Sequence, residues 1–143
     1  METHSRDEFE AEAARFANGL SVAEQATVIA LSGDLGAGKT TFVQAAAKAF
    51  GIEESVKSPT FIIMQAFAIE PVVRGFSRLV HIDAYRLARA RELSVLGWDD
   101  IVAEPSNLVF IEWPEKVSEV IPHDALKVTV EGEDDTRRIT YGR

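Results

Sequence analysis

The sequence contains no cysteine. Disulfide bonds and thiolate metal sites are therefore excluded, and the composition suits a reducing compartment, with the cytoplasm as the expected location. Long apolar runs are missing too. None approaches the roughly 18 consecutive apolar residues of a membrane-spanning helix, and the opening "METHSRDEFE" is polar and acidic, unlike a secretion signal. No membrane association is expected. Basic charge is in short supply: 15 Lys and Arg against 23 Asp and Glu give a net charge of −8. A protein that grips nucleic acid needs a basic surface to neutralise phosphates, so any link to RNA or DNA is expected to run through a partner. The guanine-reading pattern N-K-x-D is absent, and no adenine-specific motif takes its place. Repeats, low-complexity tracts and linkers are likewise absent, so 1–143 is read as a single domain. With 46 % hydrophobic residues it is long enough for a sizeable core.

What the chain does have is concentrated in "LSGDLGAGKTTFVQ", residues 31–44. Gly33, Gly38, Lys39 and Thr40 fit G-x-x-x-x-G-K-[ST], the phosphate-binding loop. Glycines let the backbone curl until successive amides face one anion, and the helix that follows offers its positive N-terminus. The loop from Leu35 through Gly36, Ala37, Gly38, Lys39 and Thr40 to Thr41 is thus the candidate nucleotide-binding segment. Lys39 is placed to reach the β- and γ-phosphates, and the Thr40 hydroxyl to ligate Mg²⁺. An ordinary glycine turn would show the same glycines without the strand "TVIALSG" before them and the helix "KTTFVQAAAKAF" after.

The remaining pattern alternates. Ser5 and Glu8 form a capping box, after which Phe9, Ala13, Phe16, Ala17 and Leu20 recur at helical spacing. A helix after the loop carries Phe42, Val43, Ala46 and Phe50 on one face and ends at Gly51. Strands are predicted over 27–32, 61–69, 78–84 and 107–113, with two short helices in "ARARELSVLG" and "WDDIVA". "LKVTVEG" and "TRRITYG" flank the turn "EGEDD" as a hairpin. Strands alternating with helices after a phosphate loop give an α/β class with a three-layer, P-loop NTPase-like fold. The sheet is expected to be mostly parallel, with an antiparallel C-terminal edge hairpin.

Ligands of such sheets lie at the carboxyl ends of the strands. Two strands end there in an acid: Asp83 follows "LVHI" and Glu112 follows "LVFI". Such acids commonly face solvent or cap a helix. Beside a phosphate loop they are candidates to hold Mg²⁺ directly or through water, and the residues alone leave open which one touches the metal. Thr60 in "KSPTF" offers a hydroxyl that could sense the γ-phosphate or Mg²⁺. Trp113 and Pro114 place a large ring and a rigid kink at the same rim. His81 reads as an inward-facing strand residue. Arg74, Arg78, Arg86, Arg89 and Arg91 form a basic stretch on an acidic chain, a candidate partner surface. The segment "EPVVRGFSR" carries no recognisable role.

The motifs "GDLGAGKTTF", "VKSPTF", "HIDAYRL" and "IEWPEK", in that order over residues 33–116, resemble the TsaE (YjeE) family. That family is the ATPase component of bacterial tRNA threonylcarbamoyladenosine (t6A) biosynthesis. The resemblance implies an ATP- and Mg²⁺-dependent enzyme working with the proteins TsaB and TsaD. Those partners carry threonylcarbamoyl transfer to adenosine 37 of tRNAs reading ANN codons, so tRNA is contacted only indirectly. It further implies that Lys39, Thr40 and Thr41 contact phosphates, that Thr40 and Glu112 ligate Mg²⁺, and that Asp83 is needed for hydrolysis, with Trp113 following Glu112 as the family's second "EW" residue. Ala84 stands where the family usually has leucine, which touches local packing only. Two other readings use the same loop: a small-molecule kinase, and a nucleotide-gated binding module without meaningful turnover.

Overall fold

Ser5 opens the first helix as the spacing requires. Its hydroxyl accepts from the Glu8 amide at 3.1 Å, and the Glu8 carboxylate accepts in turn from the His4 amide at 3.3 Å. The computed structural model describes residues 1–54, 56 and 63–142, the Glu133 side chain excepted. In chain order it contains β1 (Glu2–Thr3), α1 (Arg6–Asn18), β2 (Thr27–Ser32), α2 (Lys39–Ala49), β3 (Met64–Val73) and β4 (Phe76–Asp83). There follow α3 (Arg91–Val95), α4 (Trp98–Ala103), β5 (Asn107–Glu112), a 3-10 segment (Pro114–Val120), β6 (Leu126–Glu133) and β7 (Thr136–Gly142). No described helix is long and apolar enough to cross a membrane.

One seven-stranded sheet, in the order β1-β7-β6-β2-β5-β4-β3, divides the molecule. Its centre is parallel: β2 lies between β5 and β6, and β5 lies between β2 and β4. These strands read as unbroken apolar runs because both faces are covered. Ile29, Leu31, Leu79, Leu108 and Phe110 face α1 and α2. Val28, Ala30, Val80, Ile82, Val109 and Ile111 face α3, α4 and the 3-10 segment. Phe42 of α2 is fully buried, meeting the rings of Phe9 at 6.1 Å and Phe16 at 5.7 Å. The three-layer expectation therefore holds, with a parallel centre.

Both edges are antiparallel, not only the C-terminal one. The β6–β7 hairpin is present, but β6 continues through Glu133, leaving only Asp134 and Asp135 in the turn. β3 pairs antiparallel with β4. Of the predicted strand 61–69, residues 61 and 62 lie outside the described residues, and the strand runs on to Val73. The unassigned "EPVVRGFSR" supplies the end of β3, the turn and the start of β4. Arg74 and Gly75 turn the chain at φ 47° and 87°, the left-handed pair of a tight hairpin. β1 and the 3-10 segment were not foreseen, since two residues and a proline-led turn carry little periodicity.

The basic stretch divides. Arg74 folds over the end of α1, its Nε donating to the Leu20 carbonyl at 2.9 Å and its Nη2 to the Ala17 carbonyl at 2.8 Å. This places a cation at the C-terminal end of α1, on a carbonyl of its last turn and one just beyond it. Arg78 Nε donates to Asn107 Oδ1 at 3.2 Å. Only Arg86, Arg89 and Arg91 lie beyond the carboxyl end of β4.

α1 is fastened to the terminal hairpin through a buried acid. Glu12, 4 % exposed, accepts from Arg15 at 2.8 and 2.5 Å and from the Tyr141 hydroxyl. The Arg15 bond holds its pKa below the usual 4.5, burial opposes, and the Tyr141 bond adds to the lowering. Burial and the Glu12 bond push the Tyr141 phenol up. A carboxyl depressed in the folded state stabilises fully above its unfolded value and loses that contribution as pH falls through the folded one. Tyr141→Phe is expected to lower stability by about 1 kcal/mol, a drop of roughly 3 °C in Tm. Glu12→Gln should flatten the acid limb of the stability profile below pH 4.5. Urea melts of the variants between acid and neutral pH check both; an unchanged acid limb in Glu12→Gln would remove the clamp from the account.

Candidate nucleotide-binding site

The strand–loop–helix handover fixes the loop's shape. Gly33 leaves β2 at φ 149°, where an added Cβ would sit 2.4 Å from the Val130 carbonyl of β6, so no side chain fits. Gly38, at φ 111°, is the N-cap of α2, and a Cβ there would press on the Phe9 ring at 3.3 Å. Leu35 projects from the loop tip, 71 % exposed, while Ala37 is buried beneath it. The first turn of α2, from Lys39 through Thr41, presents amides with no intrahelical acceptor.

Lys39 is 5 % exposed and folds back on its own loop. Its ammonium donates to the Gly33 carbonyl and, at 3.0 Å, to the Asp34 carbonyl, and lies 4.1 Å from the centroid of the Trp113 ring. Burial pulls its pKa down, opposed by the charges of Glu112, Asp83, Glu115 and Asp34. Trp113 reaches this position because it leaves β5 at φ 59°, just before Pro114 starts the 3-10 segment. Its ring stands 5.0 Å from that of Tyr85.

The two strand-end acids arrive side by side. Asp83 of β4 and Glu112 of β5 are register partners. Glu112 is 3 % exposed and accepts from the Thr40 hydroxyl, with Oε2 at 3.0 Å and Oε1 at 3.3 Å. Its Oε2 also lies 2.5 Å from Nε2 of His81. Asp83 is half-buried and accepts from the Tyr85 amide at 2.9 Å. Burial pushes its pKa up, that hydrogen bond opposes, and the Glu112 charge adds to the rise.

The loop, both acids and Trp113 surround one cavity of about 260 Å³. Leu35, Gly36, Gly38, Lys39, Thr40 and Thr41 thus meet Asp83, Glu112 and Trp113, as expected from sequence, with Ala37 packed below. Thr60 and the rest of "KSPTF" lie outside the described residues. His81 was read only as a strand residue facing inward. It does face inward, and its contact with Glu112 is the feature sequence could not supply, because strand register creates it. A second groove, about 210 Å³, continues past Gly38 and Thr41 between α1 and the β6–β7 turn, lined by Ser5, Arg6, Phe9 and Arg137.

The donor set suits a hard cation shared with phosphate. Thr40 and Glu112 offer only oxygen, which Mg²⁺ prefers, and Mg²⁺ is commonly held by one or two carboxylates plus phosphates and water. Among the described residues no three His, Cys, Asp or Glu side chains could hold a metal by themselves.

A family model described as "Threonylcarbamoyl adenosine biosynthesis protein TsaE" matches residues 3–140. The chain is 35 % identical over 116 residues to the tRNA threonylcarbamoyladenosine biosynthesis protein TsaE of Haemophilus influenzae, covering 81 % of this chain and 70 % of that one. It is 35 % identical over 120 residues to the protein of the same name from Bacillus subtilis, covering 83 % and 71 %. The crystal structure of Bacillus subtilis YdiB superposes with a TM-score of 0.76 at 30 % identity, covering 99 % of this chain and 82 % of that one. With matches of this extent to both sequence and fold, the chain belongs to the TsaE family of tRNA threonylcarbamoyladenosine biosynthesis proteins.

Proposed function

We propose that this chain binds ATP with Mg²⁺ in the loop cavity and hydrolyses it slowly on its own, in the service of t6A formation. The observation that carries this reading is the contact of the Thr40 hydroxyl with the Glu112 carboxylate, beside a buried Lys39 at the start of α2. Lys39 would exchange the Gly33 and Asp34 carbonyls for β- and γ-phosphate oxygens. Thr40 and Glu112 would hold the cation, which when bound neutralises charge on the phosphates. Asp83, at the same mouth and with a raised pKa, is suited to orient an attacking water. The groove past Gly38, with the Phe9 ring and the Arg137 guanidinium, is where the base would lie. We assign the partners as TsaB and TsaD, through which tRNA is reached, and the cytoplasm as the compartment.

Three substitutions separate the roles. Lys39→Ala is expected to abolish triphosphate binding. Glu112→Ala should remove the Mg²⁺ dependence of binding. Asp83→Ala should keep binding and lower hydrolysis by about 10²-fold or more. Titration with a fluorescent ATP analogue, with and without Mg²⁺, alongside phosphate release, checks all three. Full t6A formation by Lys39→Ala in a reconstituted system would exclude the loop as the working site. Mg²⁺ dependence lost only in Asp83→Ala would invert the roles of the acids.

Turnover by the isolated chain should fall well below the roughly 1–100 s⁻¹ of kinases, because an arginine on the γ-phosphate is worth about 10³–10⁵ in rate. Among the described residues Arg137 lines the neighbouring groove and not the cavity holding Asp83 and Glu112. Arg86 and Arg89 are exposed just past Asp83, where a partner would complete the site. Charge reversal at both is expected to abolish stimulation by TsaB and TsaD while nucleotide affinity survives. Paired ATPase assays with and without the partners decide it: normal stimulation of the double variant would discard this surface, and full complex-level turnover by the isolated chain would discard the need for one.

A further inference from the structure

Glu112 is an acid on a strand whose every residue is buried. A carboxylate so placed is costly unless its lone pairs are taken up by good partners. Thr40 supplies one, from α2. From the sheet itself comes His81, 1 % exposed, its Nε2 2.5 Å from Glu112 Oε2. Register explains the reach. His81 is the partner of Phe110, two residues before the pair Asp83 and Glu112, so it stands on the same face of the sheet one pleat repeat deeper. Its ring slants along that face to the acid. It is buried behind the carboxylate and is not among the described residues that line the cavity.

The chemistry of the contact is one-directional. A carboxylate only accepts, so the contact is assigned with the hydrogen on Nε2 as donor. Oε2 thereby receives both the short imidazole bond and the nearer hydroxyl contact, while among the described residues Oε1 meets Thr40 at 3.3 Å. We propose that His81 is a positioning residue for the divalent cation: it pins Oε2 and so fixes the orientation of the carboxylate that, with Thr40, would hold the metal. This rests on the Mg²⁺–nucleotide reading above. Partners behind a metal ligand fix its orientation, and their loss commonly reduces metal affinity by about 10–100-fold.

The test uses the full chain, a fluorescent ADP analogue and Mg²⁺ titration, with Mn²⁺ binding read separately by electron paramagnetic resonance. His81→Leu is expected to raise the Mg²⁺ needed for half-maximal tight binding by about 10–100-fold, leaving nucleotide affinity in EDTA unchanged. His81→Gln, whose amide nitrogen reaches as far as Nε2, should stay within a few-fold of wild type. In a Glu112→Gln background, His81→Leu should shift the Mg²⁺ requirement no further. If the leucine variant does not fold, His81→Asn replaces it, with a donor one atom too short and the same shift expected. The proposal is overturned by a folded variant with the wild-type Mg²⁺ requirement, by equal requirements for Asn and Gln, by an equal loss of metal-free affinity, or by an undiminished shift in the Glu112→Gln background. A wild-type chain without Mg²⁺-dependent binding overturns the nucleotide reading and this one with it; dependence in wild type, unmoved in the variants, overturns this one alone.

Discussion

A buried carboxylate at the end of β5 is the constraint around which the site is arranged. Glu112 lies between a hydroxyl from α2 and an imidazole from β4. Its position is tolerable only if both elements stay in register with β5. Those two elements also carry Lys39 and Thr40, on α2, and Asp83, on β4. Satisfying one acid therefore sets the spacing of the whole mouth. The cost of burying the acid is offset by these two partners.

The parallel pairing of β2 with β5, and of β5 with β4, does the rest. Parallel strands bring equivalent ends to the same edge of the sheet. A loop leaving β2 and acids closing β4 and β5 then converge without any long-range element to gather them. The antiparallel edges have a different effect. β7 and β1 widen the sheet on the side of α1, giving Glu12 and Tyr141 a place to join helix to hairpin. The same hairpin turn walls the groove that extends the loop cavity. At the other edge, Arg74 turns β3 into β4 and closes the end of α1. The edge hairpins thus hold α1 in place beside the loop, one by its last turn and the other by its middle.

Much of this was legible in the sequence because its signals are local. A capping box, a phosphate loop and a strand-end acid are each written within a few residues, and Ser5, Lys39 and Glu112 stand where those signals put them. Direction and contact are not local. That β3 runs antiparallel depends on the Arg74–Gly75 turn, whose positive φ values are a backbone choice hidden behind an unremarkable dipeptide. The run of arginines looked like one patch, yet an extended strand carries Arg74 and Arg78 away from the site while Arg86 follows Asp83. The role of His81 is created by register between two strands that lie far apart in sequence. No periodicity could reveal it, since a histidine facing the core shows the same pattern whether its neighbour is Phe110 or Glu112.

On the proposed reading, the electrostatics of the mouth would link cation and nucleotide. Lys39 is the cation drawn into the cavity, and the charges that act on it are all acidic: Glu112, Asp83, Glu115 and Asp34. In a partly buried site such charges are weakly screened, and each interaction is stronger than at the surface. A triphosphate entering such a mouth gains one ammonium and meets several carboxylates, so alone it is poorly accommodated. A divalent cation entering alone finds the Glu112 and Asp83 carboxylates and the Thr40 hydroxyl, fewer oxygens than the octahedral shell of Mg²⁺ takes. Each offsets what disfavours the other, and by linkage the affinity of either must rise when the other is present. The folded-back Lys39, with its ammonium on loop carbonyls and beside the Trp113 ring, has its positive charge solvated by the protein itself.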